Sequence, residues 1–243
     1  MTITSSGAIS MQDIENEFGG SGSISLSEYY RANTYEKAVS GNNTNVPKSG
    51  SISIGNFYGA QERRYVQYDI QAGGGAGGGG YDDRGDNSGT ANGGGNTTVT
   101  YGSTITAYGG SGGIHGGNGR ENPGGNGGAS HYGAGGSGGS VNQAGSSAPS
   151  THYGAGGGGG GGDYHSTYDN SGAAGTGGGA GQRKTGAFYV VPSGSVSWTV
   201  GNGGAGGTAG NYHGGSGAKG RVKLWKDGTL VKNTSSNGSY TAS

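Results

Sequence analysis

The chain has 243 residues, of which 66 are glycine and only 28% are hydrophobic; it has no cysteine, and its 14 basic and 14 acidic residues give zero net charge. The balanced charge argues against nucleic acid as the main partner, and the lack of cysteine excludes disulfides and thiolate metal sites. No apolar run approaches membrane-spanning length and the N-terminus does not resemble a signal peptide, so we expect no membrane insertion.

Residues 1–60 contain the pattern Ser-Gly-x-Ile-Ser three times, at residues 6–10, 21–25 and 49–53. An aromatic residue follows each copy. Ser25 and Glu28 fit a capping box, and Ser10 and Asp13 fit a weaker one, so each repeat predicts an extended segment followed by one or two helical turns that end at glycine. The predicted buried residues are Ile9, Met11, Ile14, Phe18, Ile24, Leu26, Tyr29, Ile52, Ile54 and Phe57.

The same region resembles a module found at the N-termini of tailed-bacteriophage structural proteins. The resemblance rests on Ile-Ser-Met-Gln-Asp-Ile-Glu-Asn-Glu-Phe-Gly-Gly, on Ile-Ser-Leu-Ser-Glu-Tyr-Tyr-Arg and on the third repeat with its Phe-Tyr-Gly-Ala, and it covers almost all of residues 6–60. It implies that residues 1–60 attach the protein to other tail or fibre proteins of a virion.

Several β-strands are predicted in the remainder, residues 61–243. Residues 65–70 alternate loosely, residues 97–108 and 188–200 each look like a strand pair with a turn, and residues 221–231 form a hairpin around Asp227-Gly228, a strong turn signal. The apolar anchor expected from these strands is Val66, Ile70, Val99, Ile105, Val190, Val196, Trp198, Val200, Val222, Leu224, Trp225 and Leu230.

Glycine dominates residues 73–220, with its longest runs at residues 73–80 and 154–162. Such runs are either flexible linkers or packed polyglycine II helices, which are left-handed with three residues per turn and need a partner on a neighbouring run for every backbone polar group. Short polar-aromatic inserts interrupt these runs, and His-Tyr-Gly-Ala-Gly-Gly occurs twice, at residues 131–136 and 152–157. We therefore prefer a packed bundle of runs over a linker.

The pattern Val-Pro-x-Gly-x-x-x-x-Thr-Val-Gly-x-Gly-Gly-Ala-Gly-Gly, at residues 191–207, resembles the glycine-rich domain of many phage tail and fibre proteins. The layout resembles that of fibre-tip adhesins with a polyglycine II sandwich, whose loops bind a bacterial surface receptor, although their attachment segment is not recognisable in residues 1–60. The expected fold is a small mixed N-terminal module with short helices, followed by a glycine-rich domain of packed polyglycine II helices flanked by β-strands and hairpins, with little α-helix.

The inserts hold the candidate binding residues. Tyrosine with Ser, Gly and Asn is the composition of antibody binding loops, because its ring offers a large amphipathic contact at low entropic cost. All five histidines lie in the glycine region, but their spacing matches no known metal site, and no catalytic constellation is recognisable, so we predict no metal, no cofactor and no enzymatic activity. The predicted receptor-binding residues are Tyr81, His131, Tyr132, His152, Tyr153, Tyr164, His165, Tyr168, Tyr212 and His213. We expect exposed rings at Tyr132, Tyr153, Tyr164, Tyr168 and Tyr212, and structural roles for Tyr65, Tyr101 and Tyr189.

The function predicted is a non-enzymatic phage tail or fibre component, assembled in the host cytoplasm, which presents these Tyr, His and Asn loops to a protein or glycan on the bacterial surface. Two other classes stay open. One is a purely structural virion joint, collar or decoration protein. The other is an ice-binding protein, which needs a flat and regular Thr/Ser face.

Overall fold

The computed structural model describes residues 3–20, 22–23, 25–31, 43–80, 91–116, 123–160, 174–208 and 212–242. Regular structure in these residues is mainly β, in two antiparallel sheets with very little helix, as the sequence predicts. Within the same ranges, no helix has the length and hydropathy needed to cross a membrane.

Each of the three N-terminal repeats begins a short helix with the same cap. Helix α1 spans Met11–Phe18, and 3₁₀ turns span Leu26–Tyr29 and Ile54–Phe57. In each, the serine that ends the repeat forms a capping box with the residue three positions later, which is Asp13, Glu28 or Asn56. The helical turns predicted from the repeats are therefore confirmed, with asparagine replacing the acid in the third copy.

An apolar cluster joins the three repeats. Ile14, Phe18, Tyr29 and Phe57 from the predicted buried set are buried, together with Ile3, Val46 and Ala60, which were not predicted. Five further predicted residues are only partly buried around this cluster: Ile9, Met11, Leu26, Ile52 and Ile54. These five side chains pack against the outside of the cluster, so part of each remains accessible to solvent. Ile24 lies outside the described residues.

Eight strands follow, and they form two four-stranded antiparallel sheets. Sheet I has the order β4-β1-β6-β7, and sheet II has the order β3-β2-β5-β8. The strands are β1 Arg64–Gln71, β2 Thr97–Tyr101, β3 Ser103–Ala107, β4 Arg183–Val190, β5 Ser195–Thr199, β6 Arg221–Lys226, β7 Thr229–Thr234 and β8 Gly238–Thr241.

The main apolar core contains residues from both sheets, so the sheets pack face to face through it. Its fully buried side chains include Ile70 from sheet I and Val99 and Val196 from sheet II. Two residues predicted for this core are not in it. Leu230 is exposed, because β7 is an edge strand, and Trp225 is half-buried on the outer side of sheet I.

The predicted pairing of the two strands within residues 188–200 is wrong. Strand β4 pairs with β1 in sheet I, whereas β5 pairs with β2 and β8 in sheet II. The turn between them, at Pro192–Ser193, carries the chain from one sheet to the other. The hairpin of β6 and β7 is confirmed, and both turn residues, Asp227 and Gly228, have the positive φ that a two-residue I′ turn requires.

The glycine run at residues 73–80, here called the central segment, leaves β1 and is fully buried. Its backbone forms hydrogen bonds that recur every three residues along each neighbour; Gly74, Gly77 and Gly80, for example, donate to the carbonyls of Ala218, Gly215 and Tyr212 at 2.9 Å. Six neighbouring segments surround it in the described chain: residues 92–95, 110–116, 157–160, 176–179, 204–207 and 212–218. The three that accept its N–H groups are antiparallel to it, and the three that donate to its carbonyls are parallel.

Residues 154–160, here called the second enclosed segment, are fully buried in the same way. Their backbone bonds reach the central segment and further runs within residues 125–128, 136–139, 146–148, 175–178 and 215–218. A Cβ atom on Gly158 would lie 2.1 Å from the carbonyl oxygen of Ser137. The two longest glycine runs are thus the two that neighbours enclose, and each includes one buried alanine, Ala76 or Ala155.

The peripheral segments have a different composition, in which a side chain often occupies every third position. Residues 109–114 read Gly-Gly-Ser-Gly-Gly-Ile, and residues 203–208 read Gly-Gly-Ala-Gly-Gly-Thr. The third-position side chains Ser111, Ile114, Ala205 and Thr208 are all exposed, while Gly110, Gly113, Gly204 and Gly207 are buried. The triplet repeat therefore places side chains on the outer faces of the bundle.

Candidate functional site

The described members of the predicted binding set lie at two ends of the glycine bundle. We call the end next to the sheets proximal and the other end distal; the distal end includes Gly80, Gly116 and Gly160. Tyr212 and His213 lie at the distal end, since Gly80 donates to the Tyr212 carbonyl. The proximal members are His131, Tyr132, His152 and Tyr153. Tyr81, Tyr164, His165 and Tyr168 lie outside the described residues.

The two His-Tyr repeats meet at the proximal end. The rings of Tyr132 and Tyr153 pack edge to face with their centroids 5.6 Å apart. The Arg221 guanidinium from β6 lies over both rings, at 4.5 Å from Tyr153 and 5.3 Å from Tyr132, and Lys223 Nζ lies 5.0 Å from the Tyr132 centroid. These cation–π contacts attach the repeats to sheet I.

The turns that present these tyrosines are fixed locally. Ser130 and Gly133 close a tight turn through mutual backbone hydrogen bonds, and the Ser130 hydroxyl accepts from the Tyr132 amide at 3.1 Å. His152 packs against this turn, with its Nδ1 2.8 Å from the Ala134 carbonyl oxygen. Gly133 is required there, since its φ is +147° and a Cβ would lie 2.6 Å from the imidazole of His152.

An ion pair lies beside this cluster. Arg183 donates from Nε and Nη2 to the two carboxylate oxygens of Asp69, both at 2.8 Å, and its Nη1 lies 3.4 Å from His131 Nδ1. Hydrogen bonding to Asp69 raises the pKa of Arg183. Burial raises the pKa of the Tyr132 hydroxyl, and the nearby Asp69 carboxylate raises it further. Tyr132 is therefore a neutral, packed side chain.

The expectation that Tyr132, Tyr153 and Tyr212 are exposed is wrong, because all three are half-buried. At positions 132 and 153 the cause is the basic pair on β6, which covers the rings. Tyr189 was expected to be structural, yet it is 42% exposed on the outer side of sheet I. Tyr65 is half-buried and stacks against it, with ring centroids 5.4 Å apart.

At the distal end, segments that are far apart in sequence converge. Gly116 donates to the Gly79 carbonyl at 3.1 Å, and Gly175 donates to the Gly160 carbonyl at 2.9 Å. Gly145 donates to the carbonyl of His213, whose side chain is exposed. A tight turn near Asn142, which has a φ of 61°, lies at the same end. The imidazole of His213, the phenol of Tyr212 and the amide of Asn142 therefore lie at an end whose segments are joined by backbone hydrogen bonds.

In the part of the chain that the structure describes, no group of three His, Asp or Glu side chains could hold a metal ion. His115 adjoins Gly116 at the distal end, with its Nδ1 2.8 Å from the Gly116 carbonyl oxygen. Sequence reasoning missed Arg183, Arg221 and Lys223 as partners of the His-Tyr repeats. The only sequence signal was the alternation of β6, which places Arg221, Lys223 and Trp225 on one side of the strand.

Comparison of the chain with family models, with curated proteins and with solved structures found no match.

Proposed function

We propose that the glycine segments are polyglycine II helices in hexagonal packing. Three features support this: backbone bonds recur every three residues, six segments surround the central one, and the glycines at 73–75, 77 and 78 lie outside the left-handed φ region. With a rise of about 3.1 Å per residue, the central segment holds the distal end roughly 22 Å from the sheets. Slow amide exchange of residues 73–80 and 154–160 would support this assignment, and uniformly fast exchange would reject it.

We further propose that the protein is a component of a phage tail or fibre that binds a receptor on the bacterial surface. The observation on which this proposal rests is the enclosure of two glycine segments whose only side chains are those of Ala76 and Ala155, which leaves recognition to the faces and ends of a hydrogen-bonded bundle. The resemblance of residues 6–60 to virion proteins supports attachment to other tail or fibre proteins through this module. Assembly takes place in the host cytoplasm, with no catalytic step and no cofactor.

The distal end is the proposed receptor-binding surface. It is the end of the bundle farthest from the strands. Glycine segments that are distant in sequence meet there, as the hydrogen bonds from Gly116 to Gly79 and from Gly175 to Gly160 show. His213 lies at this end with an exposed side chain, next to the half-buried Tyr212, whereas the side chains of β6 cover the proximal tyrosines. Modest affinity per copy is sufficient when several copies on one particle bind together.

Adsorption of phage particles to host cells tests the proposal. Particles whose protein carries Tyr212→Ala and His213→Ala should adsorb more slowly while the bundle stays folded, because the backbone bonds of both residues remain. Tyr108→Ala is the matched control, since Tyr108 is 55% exposed at the other end of the bundle. Equal adsorption of the double variant and the control would reject receptor binding by these residues and favour a purely structural virion component.

An ice-binding role is less well supported. The exposed third positions carry chemically mixed side chains, such as Ser111, Ile114 and Thr176, and not a uniform row of threonines. A thermal-hysteresis measurement distinguishes this role.

A further inference from the structure

The outer side of sheet I contains a groove that is remote from the distal end. Residues of β1, β4 and β6 line it, and its volume is about 560 Å³, within the ~300–1,000 Å³ range of small-molecule sites. Strand alternation explains its composition. Val66 and Ile70 of β1 point into the core, so Tyr65, Gln67 and Asp69 point outwards.

The register of sheet I places outward-facing residues of β4 and β6 beside those of β1. Trp225 of β6 lies opposite Gln67, and Thr185 of β4 lies opposite Asp69. The short side chain of Ala187, which lies opposite Gln67, keeps the β4 side of the groove open.

One wall of the groove is aromatic and the floor is polar. Tyr65 and Trp225 are half-buried. Asp69 is only 6% exposed, and Arg183 fixes both of its oxygens through two 2.8 Å hydrogen bonds. Each carboxylate oxygen accepts more than one hydrogen bond, so Asp69 keeps acceptor capacity toward the groove. Gln67 is exposed and adds one amide acceptor and two donors.

This combination suits a sugar ring. The C–H groups on one face of a sugar ring fit against the negative face of an aromatic side chain. Fixed planar groups such as those of Asp and Gln form hydrogen bonds with the vicinal hydroxyls of the sugar. The Asp69–Arg183 pair has no net charge, which favours a neutral ligand over an anion. An apolar ligand would leave the buried carboxylate of Asp69 without solvent or a partner for its remaining acceptor sites.

We propose that this groove is a second binding site, specific for a neutral hexose unit of a polysaccharide. It is independent of the receptor-binding end, and it lies on the sheet that anchors the glycine bundle. Both sites can therefore be occupied on one molecule.

The two tryptophans of the chain provide an internal control for the test. Trp225 lines the groove, whereas Trp198 is 5% exposed in the core and donates from Nε1 to the Ser236 carbonyl at 2.8 Å. The full chain, labelled with ¹⁵N, is titrated with the methyl glycosides of glucose, galactose, mannose and N-acetylglucosamine. With at least one glycoside, the Trp225 indole signal should shift saturably and the Trp198 signal should not.

Variants then locate the binding. Gln67→Ala, at an exposed position, should raise the dissociation constant about five-fold, as expected for one lost hydrogen bond. Trp225→Ala, followed through the backbone amide signals of Asp69 and Thr185, should abolish binding. Tyr108→Ala, an exposed aromatic outside the groove, should leave binding unchanged. The proposal is overturned if no glycoside shifts the Trp225 signal, if both indole signals shift alike, or if Gln67→Ala binds as tightly as the unchanged protein.

Discussion

Substitution of Gly158 by valine tests whether enclosed backbone packing holds the bundle together. Gly158 lies in the second enclosed segment, and a Cβ there would lie 2.1 Å from the Ser137 oxygen, 2.4 Å from its carbonyl carbon and 2.9 Å from the Gly136 oxygen. These neighbours are backbone atoms, which cannot move aside as a flexible side chain can. Valine therefore forces two segments apart.

The expected loss follows from the hydrogen bonds at that position. Gly158 donates to the Ser146 carbonyl at 3.0 Å and accepts from the Gly215 amide at 2.8 Å. Breaking a buried hydrogen bond costs about 1–3 kcal/mol, so the loss of these two bonds costs roughly 2–6 kcal/mol of the ~5–15 kcal/mol that stabilises an ordinary domain. At about 2–4 °C per kcal/mol for a chain of this size, the melting temperature should fall by roughly 4–24 °C.

The matched control is Ala205→Val. Ala205 occupies an exposed third position of a peripheral segment, so the added methyl groups point into solvent. Both variants are measured by calorimetry and by circular dichroism in the same buffer. If Gly158→Val melts within a degree or two of Ala205→Val, enclosed packing of glycine backbones does not stabilise this protein.

Three other outcomes are expected. Deleting residues 1–60 should abolish incorporation into particles, as judged by mass spectrometry of purified virions, while the remainder melts at its usual temperature because its apolar core is separate. Tyr132→Ala combined with Tyr153→Ala should lower the free energy of unfolding by about 2 kcal/mol through lost ring–ring and cation–π contacts, measured by urea titration; an unchanged midpoint would contradict a packing role. Hydrogen bonds from Ser10 lower the pKa of Asp13 below 3.8. The stability that these hydrogen bonds add is therefore present above pH 3.8 and is lost as the pH falls through the lowered pKa. In urea titrations, Asp13→Asn should be less stable than the unchanged protein at pH 7 and equally stable in strong acid.

Local patterns in the sequence predicted the local structure well. Asp227-Gly228 predicted the β6–β7 hairpin, and the Ser-Gly-x-Ile-Ser repeats predicted three capped helical turns, because both depend on residues that are close in sequence. Strand pairing between distant segments could not be read in this way. The pairing of β4 with β1 depends on residues more than a hundred positions apart, and no local signal indicates it.

The surroundings of the candidate binding residues could not be predicted from the sequence either. The His-Tyr repeats look like exposed loops in sequence, yet the cations that cover them come from a strand some 70–90 residues further along the chain. One feature of the sequence does indicate which glycine segments are enclosed. The Gly-Gly-x triplets differ from the runs at residues 73–80 and 154–160, each of which contains a single alanine, and this difference separates the peripheral segments from the enclosed ones.

The enclosure of segments that are almost entirely glycine has a thermal consequence. Unfolding this bundle exposes mainly peptide groups, and exposed polar surface lowers the heat capacity of unfolding whereas exposed apolar surface raises it. The heat capacity change per residue should therefore be smaller than the ~12–15 cal/mol/K of ordinary globular domains. A smaller heat capacity change flattens the curve of free energy against temperature, so the bundle should be nearly as stable in the cold as at its temperature of maximum stability.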